Sequence, residues 1–254
     1  VSEYLLSDVH LREDRPERSR RLVRLLERLE PSDRLLIAGD LCDFWMGSRT
    51  SHEELARDPA LSALAAFRAS GGALSILPGN HDLWLAKFYK KALGATMLAE
   101  PVEITTHGLR IHVVHGHLLG ARRKWKASLE SRGFFRAFGL IPGPAAKALD
   151  AVLEAKNQRG LDEDERRHLK MYRDYADGLD DGIDVAVFGH VHRAVDLPGR
   201  PRLIVLGGWQ HRLSYLKVDA AGASFHIEGD HPIVPQAPPG HGPNRNEASH
   251  APLS

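Results

Sequence analysis

Five short polar clusters hold most of the residues in this chain that could do chemistry. They are Asp8-Val9-His10, Gly39-Asp40, Gly79-Asn80-His81-Asp82, His115-Gly116-His117 and Gly189-His190-Val191-His192. Carboxylate, imidazole and amide oxygen together suit divalent ions of intermediate hardness, such as Mn²⁺, Fe²⁺ or Zn²⁺, and exclude a thiolate site. One aspartate shared between two such ions about 3.5–4 Å apart gives the spacing used for in-line displacement at phosphorus. The set therefore points to metal-assisted hydrolysis. Each piece alone has a plainer reading: Asp8-Val9-His10 as a surface turn, Asp40 as a turn aspartate, and His190 with His192 as a same-face pair at a strand end. Jointly, with each cluster closing a short apolar run, coincidence becomes remote.

Those apolar runs are the elements that must position the clusters. Tyr4-Leu5-Leu6, Leu35–Ala38 and Leu74–Leu77 read as buried strands, each ending at a cluster. Leu22, Leu25, Leu26 and Leu29 give a helical stripe over Glu17–Glu30, a second helix is expected over about Glu53–Ala69, and a third near Leu83–Leu93. Val102–Thr106 and Leu109–Val114 read as a hairpin turning at His107-Gly108. Strand patterns return at Val185–Phe188, Leu203–Leu206, Leu213–Val218 and Ser224–Ile227. Between them, residues 118–181 are helical in composition and rich in Arg, Lys and Glu. The expectation is an α/β domain over residues 1–230 with a helical insertion over about 118–181, followed by a disordered tail over 231–254, where Pro, Gly, His, Asn and Ser dominate.

The bulk numbers agree. The 254 residues are 43% hydrophobic, enough to bury a core without disulfides, and the formal net charge of +1 argues against a nucleic-acid partner. A single cysteine, Cys42, allows no internal disulfide and reads as a small buried hydrophobe in a reducing compartment. No apolar run reaches the roughly 20 residues a membrane span needs, and Val1–Ser7 lead straight into the first cluster, so no signal peptide is expected. A cytoplasmic protein is the default, with peripheral contact at the inner face of the cytoplasmic membrane left open. Oligomeric state is not legible.

The series D-x-H, G-D, G-N-H-D, H and G-H-x-H, running from residue 8 to residue 192, resembles the calcineurin-like metallophosphoesterase signature. The resemblance implies a four-layer α/β/β/α sandwich and an enzyme using two divalent ions, with Mn²⁺ the first choice. It implies Asp8, His10, Asp40 and His192 on one ion, and Asp40, Asn80, His115 and His190 on the other. A hydroxide bridging the ions would attack phosphorus, and no phospho-enzyme is expected. His81, held by Asp82, would stabilise or protonate the leaving oxygen; its alternative is to orient Asn80. His117 is left open between facing the metals, contacting substrate and packing under its loop.

Two segments narrow the substrate. Gly39-Asp40-Leu41-Cys42-Asp43-Phe44-Trp45 and Leu206-Gly207-Gly208-Trp209 look like the corresponding segments of UDP-2,3-diacylglucosamine diphosphatases, whose helical insertion forms a lid over acyl chains. That family cleaves a nucleotide diphosphate in lipid A synthesis, giving UMP and a lipid monophosphate. Within the insertion, Arg122, Arg123, Lys124 and Lys126 could meet a diphosphate or an anionic membrane surface. Phe134, Phe135 and Phe138, with Leu140 and Ile141, could take acyl chains or dip into a bilayer interface, and Lys156 and Arg159 could contact phosphate. The plainer alternative is a solvated basic helix followed by core contacts; Trp45 and Trp209 could equally be packing residues. His81 stands where many members of that family carry arginine, and His117 where many carry aspartate, so the alternative is a phosphoesterase of a soluble phosphomonoester, phosphodiester or nucleotide. A non-catalytic metal scaffold would need an incomplete ligand set, which this chain does not have.

Overall fold

The computed structural model describes residues 1–44, 46, 50–119, 140–145, 148, 161–210 and 212–228. Two mixed sheets stack face to face. The first has the strand order β11-β10-β1-β2-β3-β4, formed by β1 (Glu3–Leu6), β2 (Arg34–Ala38), β3 (Ala73–Leu77), β4 (Thr96–Met97), β10 (Leu213–Asp219) and β11 (Gly222–Glu228). The second runs β5-β6-β7-β9-β8, from β5 (Val102–Thr106), β6 (Leu109–Val114), β7 (Val185–Phe188), β8 (Val195–Leu197) and β9 (Arg202–Val205). Strands β1, β2, β3 and β4 are parallel, as are β6, β7 and β9, while β10, β11, β5 and β8 pair antiparallel.

The period-2 alternation of each buried strand assigns its two faces to different cores. Leu5, Leu36, Ala38, Val113, Val185, Val187 and Leu216 fill the space between the sheets. Their neighbours Leu6, Leu35, Ile37 and Ile76 face outward, against α1 (Pro16–Leu26) and α3 (Pro59–Ala69). On the far side, Ala186, Phe188, Leu203 and Val205 pack against Tyr172 and Ala176 of α5 (Leu161–Ala176). The layers are therefore α/β/β/α, as the resemblance implied. The late part of the 118–181 segment thus supplies the fourth layer through α5, with Tyr172 stacked on Phe188 at 4.4 Å between centroids.

Several elements differ from expectation. The helix expected over Glu53–Ala69 is two, α2 (His52–Leu55) and α3, because Pro59 has no N–H to continue a helix and suits a first turn instead. The Asp58 side chain accepts from Ala60 N and Leu61 N and so starts the new helix. Strands β4 and β8 are too short for any period to show. The Leu83–Leu93 helix is a 3₁₀ turn, Leu83–Leu85, followed by α4, Ala86–Ala92. The hairpin at His107-Gly108 forms as read, with both residues at positive φ.

Candidate metal centre

Each parallel strand of the two sheet centres runs out into one polar loop, and the loops meet at one end of the sandwich. The backbone there is unusual. Asp8, His10, Asp40 and His190 all have φ between 50° and 63°, a region that costs a side-chain-bearing residue on the order of 1–3 kcal/mol. A lattice of hydrogen bonds holds these turns: Asp8 N donates to Gly39 O and His10 N to Asp40 O, both at 3.0 Å. His190 N donates to Asp8 Oδ2 at 2.9 Å and His81 N to Asp40 Oδ1 at 2.8 Å. Gly39 is required by close approach, since a Cβ there would run into the His115 ring.

The ligand atoms converge in adjoining groups. Asp8, His10 and His192 bring one donor atom each within 4.8 Å of one another, and so do Asp40, His115 and His190. In the first group the two Nε2 atoms of His10 and His192 face each other at 3.0 Å, each 3.7 Å from Asp8 Oδ1. Two nitrogens each about 2.1 Å from a common ion would stand about 3.0–3.4 Å apart, so an ion fits between them. Asp8 Oδ1 is buried and has no hydrogen-bond partner among the described residues; such an atom calls for a cation. In the second group His115 Nε2 lies 3.3 Å from Asp40 Oδ2 and 3.2 Å from Asn80 Oδ1. His115 Nδ1 donates to Ala38 O at 2.9 Å, so Nε2 is the nitrogen turned into the site, where an ion would take the place of its proton. These residues fit a pair of divalent ions.

Electrostatics say the same. Burial disfavours the charged form of His115, yet the charge and hydrogen bond of Asp40, with Asp8 beyond, outweigh it and raise its pKa to about 10. His10 is raised too, against its own burial, by Asp8, Asp40 and Asp43. Asp8 and Asp40 are lowered despite complete burial, Asp40 by His115, His81 and His10. His190 and His192 go the other way: burial and neighbouring histidines depress them, His192 to about 4. Two buried carboxylates thus create a pocket that demands positive charge, met by protons on some histidines when no ion is present.

His81 sits beside both groups. It forms a donor cluster with His10 and Asp40, and its ring meets that of His10 edge-on at 4.8 Å. Asp82 does not hold it, contrary to the expectation. Its Oδ2 accepts from Leu41 N at 2.7 Å, Cys42 N at 3.3 Å and Tyr89 OH at 2.9 Å, and its Oδ1 accepts from Gly79 N at 2.9 Å. His81 Nδ1 is buried without a hydrogen-bond partner among the described residues. Asp82 therefore ties the Asp40 loop to the Asn80 loop. Burial, and then Asp40, push its pKa up.

His117 lies next to the second group, 5.2 Å from the His115 ring, with Nδ1 3.5 Å from Glu100 Oε1. Glu100 also accepts from His115 N at 2.7 Å. Sequence reasoning missed Glu100, which stands in a loop with no pattern. It also missed His168, one helical turn before Tyr172 on α5, whose ring lies 5.6 Å from that of His190. Cys42 is fully buried and its thiol is pushed well up by burial, as a packing residue should be. Trp209 does more than pack: its N–H donates to Asp8 O and its indole to Ser214 O. Trp45, Arg122, Arg123, Lys124, Lys126, Phe134, Phe135, Phe138, Lys156, Arg159 and residues 231–254 lie outside the described residues.

Comparison with known proteins agrees with this geometry. The family model described as calcineurin-like phosphoesterase matches residues 4–194. A protein of Aeromonas salmonicida (strain A449) named UDP-2,3-diacylglucosamine hydrolase is 30% identical over 85% of this chain and 89% of its own length. Proteins of the same name from Stenotrophomonas maltophilia (strain K279a) and Xanthomonas campestris pv. campestris (strain 8004) are 29% and 30% identical, over 87% of this chain and 96% of theirs. The chain belongs to the calcineurin-like phosphoesterase family, whose members are metal-dependent hydrolases.

Proposed function

We propose that this enzyme hydrolyses the diphosphate of UDP-2,3-diacylglucosamine, giving UMP and a lipid monophosphate. The observation that carries the reading is the pair of adjoining donor groups, with Asp40 Oδ2 3.3 Å from His115 Nε2 and 3.9 Å from His10 Nε2, so one carboxylate serves both. The names of the relatives supply the substrate. Two divalent ions there, Mn²⁺ first, would supply a water of lowered pKa and neutralise the phosphate oxygens.

The remaining work falls to the chain. Asp8, His10, Asp40 and His192 would hold one ion, and Asp40, Asn80, His115 and His190 the other. Asp82 keeps the Asp40 and Asn80 loops in register. His81, flanking His10, would give its proton to the leaving phosphate oxygen, a role that general acids fill for about 10²–10⁴ in rate. The insertion would cover the acyl chains. Supporting an amphiphilic ligand, large exposed apolar residues follow the clusters: Leu83 opens the 3₁₀ turn after the Asn80 cluster and Leu118 follows the His115 cluster, with Leu140 in the insertion. Among the described residues no helix is long and apolar enough to cross a membrane; peripheral contact at the inner face of the cytoplasmic membrane belongs to this reading.

His81 and His117 favour a second reading, a phosphoesterase of small soluble substrates, because they stand where the lipid enzymes often carry arginine and aspartate. The two readings separate on one assay. With Mn²⁺ present, UMP release from UDP-2,3-diacylglucosamine should exceed hydrolysis of bis-p-nitrophenyl phosphate, and making Phe134 and Phe138 polar should depress only the former. No UMP at micromolar enzyme, with the phosphodiester still cleaved, would select the second reading.

A further inference from the structure

The metal centre has a sixth loop that the five clusters do not include. Residues Gly207–Gln210 leave β9 and fold under His192. Gly208 N donates to His192 O at 3.0 Å, and a Cβ on Gly208 would press on the His192 Cβ. Trp209 N donates to Asp8 O at 3.1 Å, so the same loop also fixes the backbone of the first aspartate. Arg21 of α1 clamps the loop from outside, its Nη1 donating to Trp209 O at 2.7 Å and to Gln210 O at 3.1 Å. At the loop's end the Gln210 amide meets His192 Nδ1 at 3.2 Å.

We infer that Gln210 is the positioning residue of His192, accepting the Nδ1–H through its side-chain oxygen and so aiming Nε2 at the ion shared with Asp8 and His10. The inference rests on the reading of those three residues as ligands of one ion. The reason is tautomeric. A histidine bonds a metal through a nitrogen lone pair, so ligation by Nε2 requires the proton on Nδ1, and Nδ1–H then needs an acceptor. In the structure the amide nitrogen faces Nδ1. Turning the amide by half a revolution exchanges nitrogen for oxygen without moving the chain, and Asn and Gln orientations are set by such networks. Nε2 faces His10 Nε2 at 3.0 Å, so the ring is already placed for this use.

The test compares Gln210→Leu, which removes the acceptor, with Gln210→Glu, which keeps it. Mn²⁺ binding to the full-length protein would be titrated, with the electron paramagnetic resonance of the coupled pair as readout. Gln210→Leu should weaken one of the two ions about 10–100-fold, the usual cost of losing a ligand's hydrogen-bond partner, and leave the other unchanged. It should also lose the coupled signal at limiting Mn²⁺, while Gln210→Glu retains both. Wild-type-like binding by Gln210→Leu would overturn the proposal. So would loss in Gln210→Glu equal to that in Gln210→Leu, since an acceptor would then not be what matters. Should Gln210→Leu fail to fold, Gln210→Glu against wild type decides: retained pairing supports the proposal, and loss overturns it. A wild-type protein that never binds a pair would overturn the metal centre itself, a distinguishable failure.

Discussion

The two halves of the metal centre are built to different standards. In the second half, His115 is fully buried and its Nδ1 is tied to a backbone carbonyl of β2, an acceptor that no side-chain substitution removes. In the first half, His192 has a side chain 33% exposed, and among the described residues its Nδ1 meets the amide of a loop glutamine. Backbone acceptors are fixed by the sheet ladder; a side-chain acceptor must itself be ordered, and that costs entropy. The difference teaches that the His115 ring is held by the fold itself and the His192 ring by a loop resting on it.

The largest test of this contrast removes what the halves share. Asp40→Ala should abolish both the paired Mn²⁺ signal and turnover; retention of one tightly held ion would show that the halves do not depend on a common carboxylate. Next, Asn80→Ala should collapse turnover and weaken the second ion alone, read by metal titration. If instead the first ion weakened, the division of ligands drawn here would be wrong. Smaller still, His81→Ala should lower kcat about 10²–10⁴-fold with metal content unchanged. Loss of metal in that variant would move His81 into the ligand set, a possibility its clustering with His10 and Asp40 keeps sharp.

The gentlest probe is pH. In the metal-free protein the His115 pKa is raised to about 10, above the ordinary histidine value. Its protonation therefore stabilises the fold fully below about pH 6.5, and this contribution is lost as pH rises through about 10. Metal must displace that proton, so binding at pH 7 should release protons and tighten as pH rises. Calorimetry in buffers of differing ionisation heat would show it, and a buffer-independent heat would contradict the assigned state. His192, depressed to about 4, is already neutral there and should release none.

Much of this was legible beforehand because it is local. The alternation Leu35-Leu36-Ile37-Ala38 needs only its own residues to declare a strand buried on two faces, and the polar cluster after it follows from the strand's end. Asp58 and Pro59 show the limit of the apolar pattern: it crosses them, but the missing N–H of Pro59 divides the helix. Strands β4 and β8 fell below the length at which periodicity exists at all.

What the sequence determined by itself was which residue types could ligate metal, and that they fall at the ends of buried strands. The tertiary structure alone decided what each of them leans on. Asp82 neighbours His81 in the chain yet bonds Leu41 N, 41 residues away. Gln210 reaches His192 across 18 residues, and Glu100 meets His115 across 15. A hydrogen bond's energy depends on distance and angle in space, while hydrophobic periodicity depends on position along the chain. The ligands could be read from the second; their supports are fixed only by the first.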